Sequence, residues 1–144
     1  MKLKIVDIND AENLYELNKA LGNETTKEAM ENCIVKNNHE IVCIAYIDNV
    51  AVGYCAGLII KSICHKNCRI DIESLFVREE YRNKGIGKAL IDFIEKEASV
   101  KNIKHFHINT GKNNTSARML YEKLGYTDTG EILLEKERLP EPLP

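Results

Sequence analysis

The chain has 144 residues, of which 44% are hydrophobic and 29% are charged, and its formal net charge at pH 7 is −2. This composition is that of an ordinary globular domain, not of a disordered or fibrous chain. The low net charge predicts no direct nucleic-acid partner, and no apolar stretch is long enough for a transmembrane span or a signal peptide. We therefore expect one domain over residues 1–138, a flexible tail over 139–144, a cytoplasmic location and no membrane partner.

The first predicted elements are a strand and two helices. Residues 2–8 alternate apolar and polar side chains, as a strand does. Asp10 is suited to cap a helix that runs to about residue 20 and ends at Gly22. Apolar residues at helical spacing predict a second helix over about 25–36.

The middle of the sequence predicts an antiparallel meander. Two β-rich runs over 40–47 and 50–61 flank the polar pair Asp48-Asn49, which is a hairpin signal. The run "RIDIESLFV" over 69–77 is the third predicted strand.

The cysteines do not predict a disulfide framework or a metal site. Their number is odd, and several lie in apolar runs, which favours reduced thiols. The segment "CHKNC" over 64–68 has one histidine between its cysteines, but no second Cys/His pair follows at a zinc-site interval. His105 and His107 lie far along the chain. We therefore expect a hairpin tip with incidental thiols and no bound metal. The five cysteines are Cys33, Cys43, Cys55, Cys64 and Cys68.

The second half alternates helices and strands. Residues 86–98 carry one apolar stripe at helical spacing. The segments that follow predict, in order, a strand over 104–110, a helix over 113–125 and a strand over 129–138. The expected fold class is α/β: a mixed sheet that is antiparallel at first, has a parallel pair around residues 72 and 107, and carries about four helices.

The stretch "YRNKGIGKAL" over 81–90 places two glycines beside positive charges where a helix begins. Helix N-termini present unpaired N–H groups, and glycines let a ligand approach the backbone closely. Arg82, Lys84 and Lys88 add positive charge, so the stretch predicts a phosphate site. The residues fit neither the P-loop nor the dinucleotide fingerprint, because only Ile86 separates the glycines and a leucine occupies the third-glycine position. The alternative is a tight turn with close helix packing and no ligand.

Two longer motifs carry a family resemblance. The stretch "IESLFVREEYRNKGIGKALIDFIEKEA" contains R-x-x-G-x-G and resembles motif A of the GNAT superfamily of acyl-CoA-dependent N-acetyltransferases. Downstream, "NNTSARMLYEKLGY" resembles that family's N-x-x-A-x-x-x-Y-x-x-x-G-[YF] segment. The order of the predicted elements agrees with the GNAT fold, so the resemblance covers nearly the whole chain.

The resemblance implies acetyl-CoA as cosubstrate and no metal. In this family the strand before motif A splays from its parallel neighbour, and the pantetheine arm lies in the gap. Asn114 matches an asparagine placed near the pantetheine, and its position also suits a helix N-cap. By the same resemblance, the pantetheine would pair, as an added strand does, with the main chain of Leu75, Phe76 and Val77. The pyrophosphate would be cradled by the N–H groups of Arg82, Asn83, Lys84, Gly85, Ile86, Gly87 and Lys88.

The resemblance also implies two catalytic residues. Tyr121 matches the tyrosine that protonates the leaving thiolate, and the alternative is that it only packs on the apolar face of its helix. An amine nucleophile must lose a proton, since a free amine is mostly ammonium at pH 7. Glu73 is the first candidate base and Asp71 the alternative. Either carboxylate could instead bind the substrate or face solvent.

The acceptor is not specified by a motif. The acids suggest a cationic amine such as an aminoglycoside, a polyamine or a lysine side chain, and a protein N-terminus is the alternative acceptor. His107 and Asn109 on the neighbouring predicted strand, together with Asp71, are candidates to line the acceptor site. A GNAT-like module that binds acyl-CoA without turnover is the rival function. Homodimerisation is common in the family, so the resemblance implies a homodimer as one option for this chain.

Overall fold

A computed structural model describes all 144 residues as a five-stranded sheet with helices on both faces. The 3-10 turns Ile8–Asp10 and Glu79–Tyr81 precede the first and third helices. The helices and strands in chain order are β1 (Lys2–Ile5), α1 (Ala11–Leu21), α2 (Lys27–Lys36), β2 (Glu40–Ile47), β3 (Val50–Ile60), β4 (Arg69–Val77), α3 (Ile86–Val100), β5 (Phe106–Ile108) and α4 (Thr115–Lys123). No helix has the length and apolar character needed to cross a membrane.

The sheet has the strand order β1-β2-β3-β4-β5, so neighbours in sequence are also neighbours in space. The first four strands pair antiparallel, and β4 and β5 pair parallel, with Asp71 opposite His107. The helix α3 supplies the crossover that a parallel pair requires. The expected meander, parallel pair and number of helices are therefore confirmed.

The C-terminal segment does not form the expected strand. Residues 129–138 lie outside all helices and strands, and Ile132, Leu133 and Leu134 are 79%, 80% and 83% exposed. The apolar pattern favours a strand, but a strand also needs a partner edge for its N–H and C=O groups. The sheet of this chain ends at the three-residue strand β5, and the segment does not pair with it. The prediction of this strand is wrong for the single chain.

The two faces of the sheet bury separate apolar clusters. On one face, α3 packs its apolar stripe against the inner strands, and Leu90, Ile91 and Ile94 are fully buried there. On the other face, α1 buries Leu14 and Leu17 in a smaller cluster that α2 partly covers. The sheet thus separates a closed face under α3 from a more open face under α1 and α2.

The start of α1 is fixed to the sheet by a buried carboxylate. Asp10 is 4% exposed, and its oxygens accept from Tyr46 Oη at 2.7 Å and from Asp7 N at 2.9 Å, with Lys4 Nζ at 2.8 Å. The expected capping bond from Asp10 is absent, because Asp7 caps the preceding 3-10 turn and Asp10 completes the capping box. The network holds α1 against β1 and β2 and so fixes one wall of the open face.

Candidate functional site

Strands β4 and β5 diverge after a short parallel contact. They pair only over Ile70–Ile72 and Phe106–Ile108, whereas β4 continues to Val77 alongside β3. Between β3 and β4 the register shifts, since Ala56 pairs with Ser74 and Gly57 pairs with Ile72. Glu73 is therefore the extra residue of a β-bulge, which bends its strand. The bend and the short β5 together leave a gap beside the end of β4.

The bulge determines which side chains reach the open face. Ile72 and Leu75 pack in the cluster under α3, and Phe76 packs in the cluster under α1. Strand alternation then places Glu73 and Asp71 on the α1 face, and the bulge puts Ser74 on that face too, where it lines a cavity. Carboxylates are thus presented where the strands part.

The loop before α3 leaves a run of backbone donors free. No backbone hydrogen bond is donated by the N–H groups of residues 83–88, and no side chain accepts from them. Asn83 and Gly85 adopt left-handed φ values of 61° and 80°, which turn successive N–H groups toward one side. Gly85 is the N-cap of α3 and provides no side-chain acceptor. Six free donors at the positive end of a helix are suited to bind an anion.

The charged side chains around this loop differ in whether their charged groups are free to bind a ligand. Arg82 Nε donates to Val77 O at 2.9 Å, and its guanidinium lies 5.9 Å from the centre of the Phe76 ring, so the side chain ties the loop to the end of β4. Lys84 is exposed above Tyr81, whereas Lys88 pairs with Asp92 one turn along α3. The backbone N–H of Lys88 is therefore free to bind a ligand at the loop, whereas its ammonium group is engaged by Asp92.

The helix α4 packs against the end of this loop. A Cβ built on Gly87 would lie 3.5 Å from Leu120 Cδ2 and 3.9 Å from Leu75 Cδ2, so Gly87 faces the space between β4 and α4. Tyr121 follows on α4 and packs against the cluster under α3, with its ring 6.3 Å from that of Tyr126. Burial raises the pKa of the Tyr121 hydroxyl, which therefore stays protonated at neutral pH.

The N-terminus of α4 has the expected cap. Asn114 is the N-cap, and its side-chain oxygen accepts from Ala117 N at 3.3 Å. Its remaining amide donors are free to face a ligand. Arg118 is held by Lys112 O at 3.0 Å and lies 3.6 Å from Asp128, so it fixes the segments on either side of α4.

The two candidate carboxylates have different surroundings. Asp71 accepts from Arg69 Nε at 2.8 Å and from Arg69 Nη2 at 3.3 Å, and lies 3.8 Å from His107 Nδ1. Glu73 is exposed and forms neither an ion pair nor a hydrogen bond with the protein. Asn109 follows β5 and is exposed at the gap. Of the two acids, Glu73 is the one whose oxygens are not already engaged.

A cavity of about 240 Å³ lies between α1, α2 and the sheet. Met30 and Cys33 of α2 supply part of its apolar wall, and Glu40 is its one charged lining residue. Tyr54 donates to Asn18 Oδ1 at 2.7 Å across the cavity. Sequence reasoning missed this site, since its residues come from six helices and strands and form no motif. The only signal was polar residues on otherwise apolar faces of α1 and β3.

The bulged strand, the parallel pair and the loop of free N–H groups agree with the fold that the two motifs predicted. The chain matches the model of the Acetyltransferase (GNAT) family over residues 6–126 and belongs to that family. The resemblance of its two motifs is thereby confirmed, and so is its assignment as an acetyltransferase.

Curated relatives include acetyltransferases named for aminoglycosides and for spermine and spermidine. The aminoglycoside N(6')-acetyltransferase type 1 of Salmonella typhimurium is 24% identical over 108 residues, covering 73% of this chain and 74% of the relative. The spermine/spermidine N(1)-acetyltransferase of Bacillus subtilis is 29% identical over 76 residues, covering 52% and 50%.

Solved structures share the whole fold. The aminoglycoside N-acetyltransferase AAC(6')-Iy, solved with a bisubstrate analog of CoA and acetylneamine, superposes with a TM-score of 0.84 at 22% identity, covering 96% of this chain and 98% of that one. A ribosomal-protein-alanine N-acetyltransferase from Brucella melitensis superposes with a TM-score of 0.79 at 18% identity, covering 95% and 100%. At these identities the comparison establishes the fold.

Proposed function

We propose that this acetyltransferase binds acetyl-CoA at the loop before α3 and transfers its acetyl group directly to the primary amine of a small cationic acceptor. The observation that carries the proposal is the run of free N–H groups over residues 83–88, beside Arg82 and Lys84. These donors fit a pyrophosphate, which needs several hydrogen bonds and compensating positive charge. The gap beside Leu75, Phe76 and Val77 then receives the pantetheine arm next to Asn114.

Direct transfer requires one proton to leave the amine and one to reach the departing sulfur. When the amine attacks the thioester carbonyl, the new C–N bond forms, and collapse of the tetrahedral intermediate breaks the C–S bond. In this proposal Tyr121 gives its hydroxyl proton to the CoA thiolate, which is of similar basicity to a phenolate. The Tyr121 hydroxyl is protonated at neutral pH, as this role requires, because a tyrosine pKa lies near 10 and burial raises it further.

Glu73 is proposed to take the proton of the amine, directly or through a water molecule. Its carboxylate is free, exposed and on the open face, whereas Asp71 is held by Arg69. Asp71, His107 and Asn109 are assigned to the acceptor side of the gap. No metal has a role in this mechanism.

The two buried thiols, Cys43 and Cys55, are unsuited to form an acyl-enzyme, in agreement with direct transfer. Burial raises the pKa of the Cys43 thiol to about 12 and raises that of Cys55 as well, so neither is a ready nucleophile. All five cysteines are free, which also supports our proposal of a cytoplasmic location.

The cavity between α1, α2 and the sheet supports a small acceptor. Its walls are mainly apolar, with polar groups from Asn18, Thr25, Asn37 and Ser74 and a single acid, Glu40. An aminoglycoside or a polyamine places one ammonium group near Glu73 and leaves others for Glu40. A lysine side chain is a further candidate, and the alternative acceptor is a protein N-terminus; the Brucella neighbour is named as an acetyltransferase of ribosomal-protein alanine.

The decisive experiment combines thermal melting with turnover. A ligand at about a hundred times its Kd stabilises the fold by roughly 2.7 kcal/mol, so acetyl-CoA should raise Tm by several degrees, and NAD or ATP at equal concentration should not. CoA release is then measured with aminoglycosides, polyamines and peptides with free N-termini. Stabilisation without turnover of any amine would favour the binding module. Turnover of peptides alone would favour the alternative acceptor.

We also propose that the chain forms a homodimer through residues 129–138. Three adjacent apolar side chains, Ile132, Leu133 and Leu134, are about four-fifths exposed, which a monomer rarely tolerates. Light scattering should give twice the chain mass of 16.4 kDa, and Leu133→Glu should lower it toward that of one chain. A single-chain mass for the unchanged protein at micromolar concentration would contradict the proposal.

A further inference from the structure

Two histidines on the last strand come together at one edge of the open face. His105 immediately precedes β5 and His107 lies within it, so both side chains project from the same side of the strand. Their Nε2 atoms are 3.2 Å apart. They border an open cavity of about 330 Å³ that is also lined by His65 and Cys68 of the β3–β4 connection. The fold has thus brought the "CHKNC" segment beside the two histidines that the sequence places far away.

The separation of the two nitrogens is that of two ligands on one metal ion. Zinc–imidazole bonds are about 2.0–2.1 Å long. Two such bonds at angles between a right angle and the tetrahedral value put the nitrogens roughly 2.9–3.4 Å apart. The observed 3.2 Å lies inside this range. In the absence of an ion the same contact is a hydrogen bond in which one ring donates and the other accepts.

A carboxylate lies close to His107. Its Nδ1 is 3.8 Å from Asp71 Oδ1, too far for a hydrogen bond, and Asp71 is itself fixed by Arg69. Metal-bound histidines usually donate their second ring N–H to a carboxylate, and Asp71 is the acid near enough to take that role after a small shift of the ring. Arg69 and Lys66 also line the cavity and oppose a cation, but Asp71 neutralises Arg69.

We propose that His105 and His107 chelate one divalent transition-metal ion of the imidazole-preferring class, such as Ni²⁺, Cu²⁺ or Zn²⁺. No group of three or more His, Cys, Asp or Glu side chains is placed to hold an ion, so the pair supplies the protein ligands and water completes the coordination. The site is exposed, and the ion exchanges readily with solution.

A bound ion also affects catalysis, and this part of the inference rests on the proposed function. The ion would lie beside Asp71 and on the same face as Glu73, where a cationic acceptor is expected to enter. The two positive charges of the ion would repel the ammonium group of an acceptor that enters on this face. Metal loading should therefore raise KM for the amine acceptor.

Binding is tested by calorimetric titration of NiCl₂ into the full untagged chain, since nickel prefers imidazole and a tag would compete. One equivalent should bind, and His105→Ala or His107→Ala should each weaken binding by at least about a hundredfold, the upper end of what a change outside the ligand set costs. His39→Ala is the matched control, because His39 is the remaining exposed histidine outside the cavity. Equal affinity in His105→Ala and in the unchanged chain would overturn the proposal.

The effect of the metal on catalysis is measured separately, as KM for the acceptor. With one equivalent of Ni²⁺, KM for the acceptor should rise in the unchanged chain and stay constant in His105→Ala. Equal inhibition of both proteins would place the effect elsewhere. If no amine is acetylated, the proposed function fails, while the calorimetric result still decides the metal site.

Discussion

Replacing Tyr121 by phenylalanine is expected to lower kcat for acetyl transfer by about 10²- to 10⁴-fold, the usual contribution of a general acid. The change removes the hydroxyl proton that the departing thiolate needs and leaves the ring in its half-buried position on α4. KM for acetyl-CoA should change little, since the free N–H groups of the loop are untouched. Steady-state CoA release over a range of acetyl-CoA concentrations measures both constants.

Tyr126→Phe is the matched control for this substitution. Tyr126 packs edge-on against Tyr121, and its hydroxyl donates to Glu95 Oε1 at 2.8 Å. Its loss should cost about 1 kcal/mol of unfolding free energy and leave kcat nearly unchanged. If Tyr121→Phe kept full turnover, Tyr121 would be a packing residue only. A fall in kcat for both variants would indicate a disturbance of α4 instead of lost proton transfer.

Gly87→Ala is expected to weaken acetyl-CoA binding by about 10- to 100-fold, equivalent to one charge-assisted hydrogen bond. The added methyl group enters the space between β4 and α4, at 3.5 Å from Leu120 Cδ2 and 3.9 Å from Leu75 Cδ2. The protein accommodates these ordinary contacts, and Gly87 is not among the glycines with positive φ. The fold should therefore be as stable as before, or slightly more so, since alanine favours a helix. Titration of acetyl-CoA by calorimetry and thermal melting without ligand measure the two effects.

Gly111→Ala provides the control, because a Cβ there meets no atom within 4 Å and Gly111 also lacks a positive φ. It should change neither affinity nor Tm. Unchanged acetyl-CoA affinity in Gly87→Ala would show that no ligand approaches the loop at this position. Gly85→Ala is less informative, since φ at Gly85 is 80° and the substitution strains the backbone whether or not a ligand binds.

Features that depend on local sequence were predicted correctly. The glycines and cations of the loop, the cap at Asn114 and the apolar stripe of α3 follow from residues within one or two helical turns of each other. Their conformations are set by backbone sterics and by nearby side-chain acceptors, which a short stretch of sequence contains. The order of strands was also predictable, because short connections join neighbours.

Two features that depend on pairing between distant segments were not predicted correctly from the sequence. The expected strand over 129–138 has the right alternation, but alternation does not supply a partner, and the segment pairs with neither edge strand of the sheet, β1 or β5. The sequence named Glu73 as the first candidate base and left Asp71 as the alternative. The β-bulge at Glu73 and the contact between Asp71 and Arg69 distinguish them, and the bulge arises from the register of β4 against β3.

The sequence by itself determined the family, and it also supplied the residues proposed for the acetyl-CoA site and for the proton donor, since these depend on motifs whose residues are close in the chain. Only the tertiary structure decided which carboxylate is free, where the cavity between α1 and α2 lies, and that His105 and His107 stand beside "CHKNC". Each of these depends on strand register and helix packing. Those are set by the burial of the whole core, to which every element contributes, and not by any local pattern.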